Sequence, residues 1–474
     1  MRTVNTVFLC VIISLLTGCP KDDGYIASWP QNPVELRDYD DSVTPGSLRL
    51  KAQEYDAWHL KWHQPYYGGS VHILFKDDAR TEVEAIDGYG DSTIWTGTYL
   101  GSQAFRYYVT GDVQAKSNVL RIVNTLSGHL HVTGKTGYIS RYWAPQDSLG
   151  YHGDDWSNRA SRCHKVDSGP YTGDFWWGET SRDQYTGWFF GMALAYDLVD
   201  DEQMRSIIRE DVGTVVTTLM KNGWNIIAED GKKSPVAPEV LPSMRLSFCT
   251  IGYHITGDET MRKELSKMLL NSNRVNIKVS DINYMNRYTQ YYGNNLAHTN
   301  WYNLLRLGRV YFREDDYNWL LSEFNNSVHT YTRLSHNPWF TGIYMGQGGW
   351  KNNPDVDYFN QLVHDLLDFH DVPNYEYYLP ARDPSTYTLD PTSVMLAKIY
   401  DEQPWLEEIM GSVEAQAKEA FPVKQQCSAG FQFQKNPFEI NECGTYNPRM
   451  VHSGVDYLVA YWLASYHKFL TADM

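Results

Sequence analysis

Ser181-Arg182-Asp183-Gln184-Tyr185-Thr186-Gly187-Trp188-Phe189-Phe190-Gly191-Met192-Ala193-Leu194-Ala195-Tyr196-Asp197 decides how the chain is read. A serine and charged residues open it, and the apolar run behind them is about four helical turns long and wet only at its ends. Such a segment is a buried helix whose polar groups gather at its amino-terminal mouth. Upstream, Trp95-Thr96-Gly97-Thr98-Tyr99 has the same aromatic-Thr-Gly step and an apolar tail of helical period, with Asp91 in front. Two such helices side by side bring Asp91 and Asp183 towards one pocket, and chemistry is expected at that mouth.

Working outward, Thr110-Gly111-Asp112 closes one helix with a glycine able to turn left-handed and opens the next with an aspartate able to cap it. Ile255-Thr256-Gly257-Asp258 repeats the device, and Tyr311-Phe312-Arg313-Glu314-Asp315 is a looser version. Buried helices are expected to begin near Ser92, Asp183, Glu239, Asn295, Tyr387 and Val451, with amphipathic partners near Asp112, Glu202, Asp258, Asp315 and Gln403. Their spacing is often about sixty residues, the period of a helix pair with its loops. A further helix between Val356 and Phe369 leaves the number open, and Val71 to Phe75 reads as a short strand. This alternation, the Thr-Gly-Asp turns and the closing Val455-Asp456-Tyr457-Leu458-Val459-Ala460-Tyr461-Trp462 helix resemble the α/α toroid of six-hairpin glycosidases and related polysaccharide lyases. The resemblance implies an all-α dominated fold, an α/α toroid of about six helical hairpins over residues 46–474 with short strands in its loops. It places the active site in the bowl where loops enter the inner helices. Two acids at helix mouths resemble the arrangement in unsaturated glucuronyl hydrolases, although the sequence around them departs from that family.

The chain has 474 residues, 42% hydrophobic and 14% aromatic, ample for a large core. Its 35 Tyr and 16 Trp offer flat apolar faces with polar tips, suited to sugar rings as well as to helix packing. A formal net charge of -16 opposes nucleic acid, because like charges repel before any specific contact forms. At the amino terminus, Met1-Arg2 precedes a short apolar run from Val7 to Leu16 and then Leu16-Thr17-Gly18-Cys19, which resembles the lipobox of bacterial lipoprotein signal peptides. That resemblance implies a signal peptide over residues 1–18, lipid on the Cys19 thiol, a polar tether over residues 19–45, and a body anchored to a membrane of the bacterial cell envelope. An exported chain meets an oxidising compartment. Cys163, Cys249, Cys427 and Cys443 then allow three pairings, of which Cys427 with Cys443 closes the shortest loop.

Glycoside cleavage needs a proton donor at the leaving oxygen and a carboxylate that attacks or activates water. Asp91 and Asp183 are the candidate pair, and the plain alternative for each is a helix cap. Around them Trp95, Arg182 and Tyr185 are candidates for substrate contact, as are Trp176 and Trp177 in the long aromatic loop from Tyr142 to Thr180. Asp154, Asp155 and Asp174 could offer oxygen ligands to calcium, but without EF-hand spacing no metal or cofactor is expected. Further along, Asn294, His298 and Tyr302 recur every four residues on one helix face, with Arg287 before them. That set resembles the kit of toroidal polysaccharide lyases, in which amide and Arg groups neutralise a uronate while Tyr or His removes the adjacent proton; a polar helix entry with a buried histidine would read the same. Trp350 is placed with Tyr344, Gln347 and Arg382 on the bowl wall. No Gly-rich phosphate loop, Gly-x-Ser-x-Gly elbow or HExxH helix is spelled out. The expectation is a lipid-anchored glycoside hydrolase acting on an oligo- or polysaccharide. The alternatives are a lyase or uronate epimerase at the Asn294 helix, or a glycan-binding lipoprotein without catalysis.

Overall fold

The computed structural model describes residues 46–152, 162–284, 287–288, 291–347, 356–406, 413–428, 430–443, 447–470 and 474. The signal peptide, the tether with Cys19, and Asp154, Asp155 and Trp350 lie outside the described residues.

Helix dominates. The helices are α1 (Ser47–Trp62), α2 (Ser92–Thr110), α3 (Val113–His131), α4 (Arg182–Leu198), α5 (Glu202–Lys221), α6 (Pro242–Thr256), α7 (Glu259–Met268), α8 (Asn271–Tyr284), α9 (Tyr292–Tyr311), α10 (Glu314–Glu323), α11 (Pro338–Gly346), α12 (Tyr358–Leu367), α13 (Pro391–Glu402) and α14 (Val455–Tyr466). Among the described residues no helix is long and apolar enough to cross a membrane. The turns behave as their residues require: Gly111 and Gly257 are left-handed, with φ of 67° and 70°, and Asp112 and Asp258 accept from the backbone N–H two residues on.

The tightest helix contact joins α2 to α4, and glycine permits it. A Cβ on Gly97 would collide with the Gly187 carbonyl, one on Gly187 with the Ile94 carbonyl, and one on Gly191 with the Gly97 carbonyl. The repeated Thr-Gly step is therefore a backbone-to-backbone docking surface, and it sets the two helix mouths side by side. From there α4 packs on α6, α6 on α9, α9 on α11, α11 on α14, and α14 returns to α2. Each of these six is buried over most of its length, whereas α3, α5 and α7 bury one face.

The fifth of these helices departs from the sequence reading. It is α11, opened by Asn337, whose side chain accepts from the N–H groups of Trp339 and Phe340, and all nine of its residues are buried. The segment expected to fill that place, α13, buries Ser393 and Tyr400 alone. Its Val394 and Met395 face solvent.

Short strands precede three of the buried helices. Strands β1 (His72–Phe75), β2 (Val83–Asp87), β6 (Tyr375–Glu376) and β7 (Asn447–Val451) make one sheet in the order β2-β1-β7-β6. Strands β3 (Tyr142–Pro145), β4 (Cys163–Lys165) and β5 (Asp174–Trp177) make another in the order β3-β5-β4. Because β2, β5 and β7 run into α2, α4 and α14, both sheets stand at the amino-terminal ends of those helices. A separate apolar cluster of Ile73, Phe75, Ile86, Tyr89, Tyr142, Phe175 and Trp177 holds them together.

Candidate active site

Aspartates cap many helices in this chain. Asp112, Asp201, Asp258, Asp357 and Asp390 each accept a backbone N–H at the start of a helix. Asp91 and Asp183 do not, although Asp91 stands at the cap position of α2 and Asp183 is the second residue of α4. Their carboxylates are left for something else.

Asp91 is 47% exposed and is held from two sides. Gln184 Nε2 donates to its Oδ1 at 2.9 Å and Arg141 Nη1 at 3.3 Å. Gln184 is the clasp between the two mouths, since its Oε1 also accepts from the Ile94 N–H at 3.1 Å. Ser181-x-x-Gln184 has the spelling of a capping box, yet the Gln184 side chain leaves its own helix for the neighbour. Arg141 is fixed in turn: its backbone N–H donates to Trp177 O at 2.8 Å, Nη1 to Gly90 O at 2.7 Å and Nε to Glu179 O at 2.9 Å. Glu179 sits at a φ of 50°, a left-handed strain at the rim, and pairs with Arg162.

Asp183 has the opposite environment. Its Oδ1 is fully enclosed and has no hydrogen-bond partner. Burial pushes its carboxyl up from the ordinary aspartate value; Arg182 opposes the shift, Asp91 adds to it, and Arg141 and then the Ser181 hydroxyl oppose it more weakly. Arg182 reaches sideways, Nη1 donating to Glu239 O at 3.0 Å, and Glu239 pairs with Arg245 at 2.9 Å. Tyr292, the first residue of α9, is 44% exposed, and its phenol is pushed up by burial and then by the Asp183 charge. On the other flank His72, packed edge-on to His452 at 4.7 Å, feels the charges of Asp87 and Asp91, which oppose the lowering effect of its burial.

The remaining candidates lie elsewhere. His298 is wholly buried, its Nδ1 2.7 Å from Asn294 O, its Nε2 3.3 Å from Thr332 Oγ1, and its ring stacked on Phe340 at 3.9 Å. Burial pushes it down to about 3. Tyr302 is buried too, its hydroxyl 3.2 Å from His467 Nε2. Asn294 Nδ2 donates to Tyr291 O at 3.1 Å, and Arg287 pairs with Asp390 at 2.6 Å under the ring of Phe438. Each of the four is thus engaged with neighbours inside the fold.

Trp176 and Trp177 are buried within β5, one stacked on His164 at 4.0 Å and the other edge-on to Tyr89 at 5.4 Å. Tyr185 points its hydroxyl at Gly137 O, 2.9 Å away. Trp95 lies near the mouth with Phe431 stacked on it at 4.0 Å and 11°. Arg141, Gln184, Tyr292 and His72 join the site without having been singled out, and Glu179 joins it from the loop expected to wall the bowl; Gln184 carried a signal in its capping-box spacing, and Arg141, Tyr292 and His72 carried none locally.

Two carboxylates of different surroundings at paired helix mouths, with guanidinium groups beside them, can divide acid and base work between them. Comparison of the chain with protein-family models, with curated proteins and with solved structures returned no match.

Proposed function

We propose that the protein is a glycoside hydrolase that cleaves an oligo- or polysaccharide between Asp183 and Asp91. In this reading the six mutually packed helices are the inner ring of an α/α toroid, with α1, α3, α5, α7, α10 and α12 as outer partners. The body hangs from a lipid on Cys19 at a membrane of the bacterial cell envelope. One observation carries the proposal: Asp91 and Asp183 stand at the adjoining mouths of the two most closely packed helices, and neither side chain caps its helix.

Asp183 serves as the proton donor, because burial favours its neutral form and a neutral carboxyl can protonate the leaving oxygen. Asp91 lies across the mouth, oriented by Gln184 and Arg141, and either attacks the anomeric carbon or draws a proton from the attacking water. Arg182 and Tyr292 border the same opening and contact the sugar.

The test is the full chain incubated with a panel of neutral and acidic polysaccharides, reading reducing ends and the ultraviolet absorbance of unsaturated uronates together. New reducing ends without absorbance are expected. Absorbance rising with the reducing ends would replace hydrolysis by elimination, and silence across the panel alongside retained glycan binding would replace the enzyme by a binding protein.

A further inference from the structure

The loop that covers Trp95 is bounded by two cysteines. Within it the Gly430 N–H donates to His452 Nε2 at 3.3 Å, the Gln432 N–H to Asp456 Oδ2 at 3.0 Å, and Asn436 Nδ2 to Arg287 O at 3.1 Å. Phe433 turns edge-on to Phe431 at 5.2 Å, and Lys435 lies close enough for its charge to act on His72 and His452. The loop thus walls one side of the mouth.

Its two ends are fastened to the same strip of backbone. Cys443 exchanges both backbone hydrogen bonds with Leu379, each 3.0 Å. Next to Cys427, Ser428 Oγ accepts from the Tyr377 N–H at 3.0 Å and donates to Tyr377 O at 3.2 Å, while Tyr377 Oη donates to Gln426 O at 2.9 Å. This bracing sets Cys427 and Cys443 side by side, close enough for their thiols to act on one another. Cys249 is engaged elsewhere, its thiol donating to Met261 O at 3.3 Å, and Cys163 lies in β4 opposite Trp177.

We infer that Cys427 and Cys443 form a disulfide by exchange with an external disulfide, and that this cross-link pins the Phe431 loop over Trp95. The pairing stands whether or not the hydrolase reading holds. Cys443, the more exposed of the two, loses its proton to solvent and attacks one sulfur of the incoming disulfide, releasing the first thiol. Cys427 then attacks the Cys443 sulfur of the mixed disulfide, releasing the second thiol. Two electrons pass from the cysteines to the oxidant. The neighbouring Cys427 thiol and burial both push the Cys443 thiol up, so the exchange is slow at neutral pH and accelerates as pH rises.

The reduced full chain is equilibrated under native conditions with oxidised glutathione, denatured in alkylating agent and mapped by peptide mass spectrometry. The expected result is one cross-linked peptide pair containing Cys427 and Cys443, lighter by two hydrogen atoms than its reduced counterpart, with Cys163 and Cys249 alkylated. Recovery of Cys427 and Cys443 as alkylated thiols, or of either joined to Cys163, would overturn the pairing. Hydrogen exchange of the segment between Cys427 and Cys443, compared between oxidised and reduced chains, reads the second half of the claim. Slower exchange in the oxidised chain is expected, and identical exchange would overturn the role of the cross-link in holding the loop. Cys427→Ser with Cys443→Ser supplies a folded reference whose exchange should match the reduced chain in either buffer.

Discussion

The mouth shared by α2 and α4 and the mouth of α9 look alike in sequence, since both are polar entries to buried helices, yet they end as different things. The difference is depth. Asp91 precedes its helix and Asp183 is the second residue of its own, so both stay at the rim. His298 and Tyr302 lie six and ten residues beyond the start of α9, about 9 and 15 Å down the axis. There the neighbours are Phe340, Phe105 and His467, and polar atoms serve packing. At the α2 and α4 entries the carboxylates stay at the rim, whereas in α9 burial begins at Asn294 in the first turn and holds through His298 and Tyr302.

The largest effect that would break this comparison comes from the glycine contact. Gly97→Ala places a methyl group against the Gly187 carbonyl, where neither backbone can yield cheaply, and should cost about 3 kcal/mol in urea unfolding. An unchanged midpoint would show that the two mouths are not held by this contact.

The next test is pH, to which the two mouths respond with opposite sign. His298 has a folded value depressed to about 3 from an ordinary 6.5, so its contribution is present above pH 6.5 and lost as pH falls towards 3. Asp183 is raised, so its contribution is present below the unfolded aspartate value and lost as pH rises through the folded one. His298→Phe keeps the stack on Phe340 and removes the titration, so stability measured from pH 6.5 down to 4 should fall by about 3 kcal/mol less than in the parent chain. Parallel stability curves for the two chains would contradict the buried, neutral histidine.

Arg182→Gln sharpens the account of Asp183 with a smaller effect. Removing the guanidinium that opposes the burial shift should move the alkaline limb of the pH-activity profile to higher pH. A limb that stays in place would assign it to another group.

Much of this was legible in the residues. Gly111-Asp112 and Gly257-Asp258 form the turns their chemistry predicts, and the repeated Thr-Gly step marked the two helices that touch most closely. The glycines announced small side chains, but their contact partners needed the fold. Arg141 was invisible because it reaches Asp91 from a loop fifty residues on, through hydrogen bonds to Trp177, Glu179 and Gly90 that no local pattern encodes. The α11 helix was misplaced because nine buried residues opened by Asn337-Pro338 are too short to show a helical period. In the α9 entry, spacing by four correctly set Asn294, His298 and Tyr302 in line, but periodicity says which face a residue shares and not how far below the rim it lies.

The most direct test compares kcat/KM of Asp183→Asn and His298→Phe on whichever glycan the parent chain cleaves. The account predicts that Asp183→Asn loses about 10²- to 10⁴-fold with its unfolding midpoint retained, while His298→Phe stays within about threefold of the parent. Retained turnover in Asp183→Asn, with the large loss falling on His298→Phe, would contradict it and move the chemistry to the α9 entry.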